Sequence, residues 1–244
     1  MKKTFYLTFR VKALISGCLS FMLGVSTVLL IFTSRPAEAV SADTIAADEP
    51  VIIIDAGHGG EDGGTQSSSG VLEKDINLQI SIKLNSLLKS MGYKTVMIRS
   101  DDSLIYDEGA QKMRDKKVSD INNRLDIAES YPDSLFISVH QNYFTQSKYS
   151  GAQVFYSPNN PESRSLAQNI QSSIIGSIQN ENTRKIIKSG SEIYLLYNIK
   201  SPAVMVECGF MSNPSEALLL CDDEYQKKMA LAIVSGITDY LSAS

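Results

Sequence analysis

The chain is 244 residues long, 43% hydrophobic and 20% charged, with a formal net charge of −4. That balance excludes a disordered or fibrous protein, and three cysteines are too few for a disulfide framework. The acidic sign also argues against nucleic acid as a partner.

Residues 1–39 stand apart. Lys2, Lys3, Arg10 and Lys12 precede the uncharged apolar run Ala13–Phe32, and Ala37-Glu38-Ala39 has the A-x-A cleavage pattern. This is the plan of a secretory signal peptide, and the run is long enough for an N-terminal membrane anchor if it stays uncut. Export is expected in either case. Removing its five basic residues and one acid from 23 and 27 leaves residues 40–244 with a net charge of −8. Val40–Pro50 is small and polar and reads as a linker, and 51–244 as one domain large enough to bury a core.

From there strands alternate with helices. Val51–Asp55 is an apolar run and the first expected strand. Ile76, Ile80, Leu84, Leu87, Leu88 and Met91 then keep helical spacing up to Gly92. Lys94–Arg99 is the second strand, Ile121–Glu129 a helix, Leu135–His140 and Ala152–Tyr156 strands, and Ser163–Ile178 a helix. Glu192–Leu196 and Ala203–Glu207 read as strands and Glu224–Leu241 as the closing helix. The pattern predicts a single α/β domain, a twisted mixed sheet of about six strands with helices on both faces.

Chemistry in such sheets gathers where strands end. The chain has two histidines. His58 lies in the glycine-rich loop Gly57–Gly64 after the first strand, and His140 ends Leu135–His140. Glu207 ends the strand Ala203–Glu207, and Glu73 opens the helix beyond the glycine loop. Each has a plain reading: a hydrogen-bonded histidine, or a carboxylate favoured at a helix start. Glu207 is harder to explain so, because an unpaired carboxylate within Ala-Val-Met-Val-Glu-Cys-Gly-Phe is costly to bury. Two imidazoles and a carboxylate around zinc, with a further carboxylate to move protons, would explain all four. There is no H-E-x-x-H helix. The glycine loop also fails as a phosphate cradle, since Asp62 stands where G-x-G-x-x-G needs glycine and Glu61 would repel a phosphate. A nucleophilic Cys208 is disfavoured by its core-like flanks.

Four stretches together, IDAGHGGEDGG, Gly70-Val-Leu-Glu73-Lys, FISVHQN and PAVMVECGFMSNPSEALLL, resemble the zinc-dependent N-acetylmuramoyl-L-alanine amidases (Amidase_3 family). They occur in order across nearly all of residues 51–241. The absence of appended wall-binding repeats makes the chain most similar to the compact, germination-specific CwlD-type branch. The resemblance implies one zinc ion held by His58, Glu73 and His140, with Glu207 as the catalytic carboxylate. It also implies peptidoglycan as substrate, cut between N-acetylmuramic acid and L-alanine, in spore cortex maturation by way of muramic-δ-lactam. A lipoprotein partner is implied as well, and a location outside the cytoplasm, in the wall or the intermembrane space of the developing spore. Gln141 and Asn142, beside His140, are the candidates for substrate contact, and Gln141 departs from the family's usual alanine. Two other readings stay open at this stage. One is a non-catalytic peptidoglycan-binding protein on the same fold, and the other an exported zinc peptidase of the stem peptide.

Overall fold

The computed structural model describes residues 49–243, so the export segment 1–39 and nearly all of the linker 40–50 lie outside the described residues. The elements run β1 (Ile52–Ala56), α1 (Glu73–Ser90), β2 (Thr95–Met97), α2 (Met113–Glu129), β3 (Leu135–Asn142), β4 (Gln153–Tyr156), α3 (Glu162–Ser177), β5 (Ile187–Lys188), α4 (Tyr194–Asn198), β6 (Ala203–Phe210), α5 (Pro214–Cys221) and α6 (Asp223–Ala243). The six strands form one sheet in the order β2-β1-β3-β6-β4-β5. Neighbours from β2 through β6 are parallel; β4 runs antiparallel to β6, and β5 parallel to β4.

Strand alternation divides the core. Ile52 and Ile54 of β1 pack with α1, α3 and α6 in one cluster, whereas Ile53, Phe136 and Ala203 pack with α2 and α4 on the other face. The all-apolar start of β1 follows, because both of its faces are covered and all five of its residues are buried. The expected mixed sheet of about six strands, helices on both faces, is what forms.

Two local expectations are corrected. Glu192–Leu196 is not a strand: Tyr194–Asn198 makes a helical turn, which carries the adjacent Leu195 and Leu196 into buried positions together. The edge strand is instead Ile187–Lys188, two exposed residues without a hydrophobic pattern to announce them. Helix α5 was not expected. Its start is written in Asn213-Pro214-Ser215-Glu216, where the Asn213 side chain accepts from the Ser215 and Glu216 N–H groups and proline takes the first turn. Both Cys208 and Cys221 are free; Cys208 is buried and Cys221 exposed.

Candidate metal centre

The parallel core puts the C-terminal ends of β1, β3 and β6 on one rim. His58 follows β1, His140 lies in β3, and Glu207 is its register partner in β6. Glu73 opens α1, and its backbone N–H donates to the Thr65 carbonyl, which closes the intervening loop onto the helix start. Nitrogen atoms of His58 and His140 and an oxygen of Glu73 lie within 4.8 Å of one another, an arrangement that could hold a metal ion.

Glu73 is the hub. Its Oε1 lies 2.9 Å from His140 Nδ1 and 3.3 Å from His58 Nε2, and it accepts the Gln141 N–H at 3.1 Å. Its Oε2 accepts from the backbone N–H and hydroxyl of Thr65. Burial alone would raise this carboxyl's pKa, but the two imidazoles outweigh it and hold Glu73 well below the usual carboxylate range. Burial likewise disfavours a charged His58. Hydrogen bonds to Asp62 and Glu73 win, and its pKa rises to about 9. Asp62 Oδ2 meets His58 Nδ1 at 2.9 Å, leaving Nε2 aimed at the cluster, and Lys117 in turn holds the other Asp62 oxygen at 2.6 Å. A carboxylate on the outer imidazole nitrogen fixes ring orientation, as it does behind metal-bound histidines.

The glycines are needed for close approach. A β-carbon at Gly57 would strike the His140 ring, and one at Gly64, where φ is +66°, would sit 2.6 Å from Glu73 Oε2 and 2.7 Å from the His58 ring. His58 itself has φ 63°, a left-handed conformation that costs an ordinary residue about 1–2 kcal/mol. Two buried arginines hold it there. Arg124 Nη2 donates to the His58 carbonyl at 2.8 Å and its Nη1 to that of Ala56 at 3.0 Å, while pairing with Asp55 and Asp120. Arg99 donates to the carbonyls of Ala56, Gly57 and Lys74. Asn77 Nδ2 adds a bond to the Gly57 carbonyl at 3.1 Å. Sequence reasoning did not single out Asp55, Asp62, Asn77, Arg99 or Arg124. Two signals were present: an aspartate ending an otherwise apolar strand, and an arginine between Ile121 and Leu125 of an apolar-spaced helix.

Glu207 completes the set in a different way. The residue is half-buried, but its Oε2 is shielded from solvent and has no hydrogen-bond partner among the described residues. Burial, reinforced by the nearby Glu73, pushes its pKa up to about 7 against the opposing pull of His140 and His58. An orphaned buried carboxylate beside two imidazoles and a carboxylate is what a cationic centre would compensate, so the residues present fit a zinc ion. Gln141 is placed differently from its expectation. Its side chain is buried and donates to Asn77 at 3.1 Å, so it braces the Glu73 support instead of reaching the open rim. Asn142 is half-buried at the end of β3. A cavity of about 210 Å³ opens beside His58 and His140, lined in part by Lys117, Ile121, Ile193, Tyr194 and Met205.

Comparison with known proteins decides the family. The Amidase_3 family, N-acetylmuramoyl-L-alanine amidase, matches residues 52–239. The chain belongs to this amidase family. It is 34% identical over 226 residues to the germination-specific N-acetylmuramoyl-L-alanine amidase of Bacillus subtilis, covering 92% of this chain and 94% of that one. Among solved structures it is similar to the CwlD amidase of Clostridioides difficile, determined in complex with the GerS lipoprotein. The TM-score there is 0.77 at 41% identity, over 80% of this chain and 100% of that one. An N-acetylmuramoyl-L-alanine amidase from Clostridium difficile 630 gives a TM-score of 0.70 at 30% identity, over 81% and 100%. Amidases of this family act on the cell wall, which gives the chain an extracytoplasmic role. All four stretches noted in the sequence fall within the matched residues 52–239.

Proposed function

We propose that this amidase hydrolyses the amide between N-acetylmuramic acid and the L-alanine of the stem peptide, with His58, Glu73 and His140 holding one zinc ion and Glu207 acting as the catalytic carboxylate. The observation that carries the reading is the unpartnered, buried Oε2 of Glu207 beside the converging His58, Glu73 and His140 donors. Zinc, when bound, polarises the amide carbonyl and makes water more acidic. Glu73, His58 and His140 are oriented for this before any ion arrives, by Thr65, Asp62 and the backbone bonds of Arg99 and Arg124. Glu207 takes the proton of the attacking water and returns it to the leaving L-alanine nitrogen. A carboxyl whose pKa lies near neutrality suits both steps.

Similarity to the germination-specific amidase supports a role in spore cortex maturation, and similarity to a CwlD amidase solved with a lipoprotein supports a lipoprotein partner. Residues 1–39 serve as signal peptide or anchor, 40–50 as linker and 51–244 as the catalytic domain, which places the enzyme in the wall or intermembrane space of the developing spore. The test is mass spectrometry of peptidoglycan treated with the purified protein. Free stem peptides beginning at L-alanine should appear with zinc and disappear with chelator. Glu207→Ala should retain zinc and lose turnover by at least about 100-fold. Cuts within the stem would point to a peptidase, and zinc-free protein that binds wall without cutting it would point to a scaffold.

A further inference from the structure

The rim that carries the metal ligands continues beyond Glu207. Register places His140 beside Glu207 and Glu207 beside Gln153 of β4, so the three side chains share one sheet face. Gln153 Oε1 accepts from Arg184 Nη1 at 3.0 Å, and Arg184 Nε donates to the Ser150 carbonyl at 2.8 Å. The guanidinium carbon of Arg184 lies 4.5 Å from the Phe210 ring centroid and 5.9 Å from that of Tyr149, with Lys148 over the same tyrosine at 5.5 Å. This half-buried arginine makes no ion pair among the described residues. Glu216, the carboxylate within its electrostatic reach, spends its oxygens on the backbone N–H groups of Gly151 and Phe210. The result is an oriented cation with unused N–H donors, in a domain (51–244) whose 18 basic and 23 acidic residues give a net charge of −5.

We propose that Arg184 is a specificity residue that binds the free α-carboxylate of the second stem residue, the γ-linked D-glutamate that follows L-alanine. The inference rests on the amidase reading, in which Glu207 returns a proton to the L-alanine nitrogen. The leaving peptide therefore lies on the Glu207 side of the metal ligands, toward β4. From that nitrogen to the D-glutamate carboxylate is about 7 Å along two residues of extended chain. One strand spacing of about 4.8 Å from Glu207 to Gln153, followed by the 3.0 Å bond to Arg184, covers a similar span. Stacking on Phe210 and Tyr149 holds the guanidinium plane, which favours a carboxylate over a neutral amide.

The experiment uses zinc-loaded full-length enzyme and two synthetic muramyl tripeptides, one with the D-glutamate α-carboxyl free and one with it converted to the amide. The wild type should show a KM about 10- to 100-fold lower for the acid. Arg184→Gln should raise the KM of the acid to that of the amide with kcat little changed, and Arg184→Lys should restore part of the preference. Equal cleavage of both peptides by the wild type overturns the proposal, as does an equal loss on both in Arg184→Gln. If Arg184→Gln does not fold, the wild-type preference decides. A wild type that holds zinc and, with its lipoprotein partner bound, cuts neither peptide overturns the amidase reading, and this inference with it.

Discussion

At two residues of the site, Gly64 and Glu207, the surroundings fix what a substitution does. Gly64 lies where a β-carbon would approach Glu73 to 2.6 Å and His58 to 2.7 Å, at a φ that L side chains rarely adopt. Gly64→Ala should keep the fold at a cost of about 1–3 kcal/mol while lowering zinc affinity at least about tenfold, read by thermal melting and metal titration. Glu207 gives a pH dependence of known sign. Its folded pKa of about 7 exceeds the ordinary 4.5, so the native state binds its proton more tightly than the unfolded chain does. In metal-free protein this group therefore costs stability as pH rises from about 4.5 through 7. Glu207→Gln, neutral at every pH, should be more stable than wild type at pH 8 by a few kcal/mol, with the difference closing toward pH 4.5 in urea titrations. A variant no more stable at pH 8 would remove the account of Glu207 as a desolvated, uncompensated acid. His58, Glu73, His140 and Glu207 were legible because each falls at a strand end or helix start beside glycines. Gln141 was misjudged because its neighbour in sequence, His140, lies on the opposite face of the strand.

Among the elements, the joint between β1 and α2 bears the largest concentration of buried charge. Arg124 reaches from α2 to Asp55 at the end of β1, and Ser138 of β3 donates to the other Asp55 oxygen at 2.6 Å. Burial would raise the Asp55 pKa, but Arg124 and Ser138 outweigh it and keep the carboxylate ionised. Arg124→Met would leave the Asp55 charge buried without its cation and release the His58 carbonyl, while Arg99 keeps hold of that of Ala56. The expected loss is about 3–5 kcal/mol in urea unfolding, together with weaker zinc binding. Asp55→Asn combined with Arg124→Met should recover part of that stability and none of the zinc affinity, since the His58 carbonyl stays unheld. Pairings of this kind are invisible in one sequence, because Asp55 and Arg124 are brought together by the sheet and not by spacing. The long periodic helices and the central apolar strands were legible for a related reason, since each carries its own pattern over several turns or both faces; α2 was read only from Ile121, because its first turns from Met113 are polar. The two-residue β5 and the single turn α4 have no room for a pattern, and α5 announces itself only through its cap.

For the molecule as a whole, the proposal that residues 1–39 direct export carries its own prediction. With the leader present, the protein should be recovered outside the cytoplasm. Deletion of 1–39 should leave it inside, as read by cell fractionation and protease accessibility of intact cells. The order of the sheet sets a further condition on that journey. β6 is the last strand in the chain, yet it lies between β3 and β4 in the sheet. A polypeptide threading outward from its N-terminus thus delivers His58, Glu73 and His140 long before the strand that bears Glu207. Until that final strand arrives, β3 and β4 lack the strand between them and Glu207 is absent from the rim. Under the proposed export and the proposed role of Glu207, that order of arrival would act as a safety catch: a chain still short of its last strand would have the metal ligands and no carboxylate to move the proton.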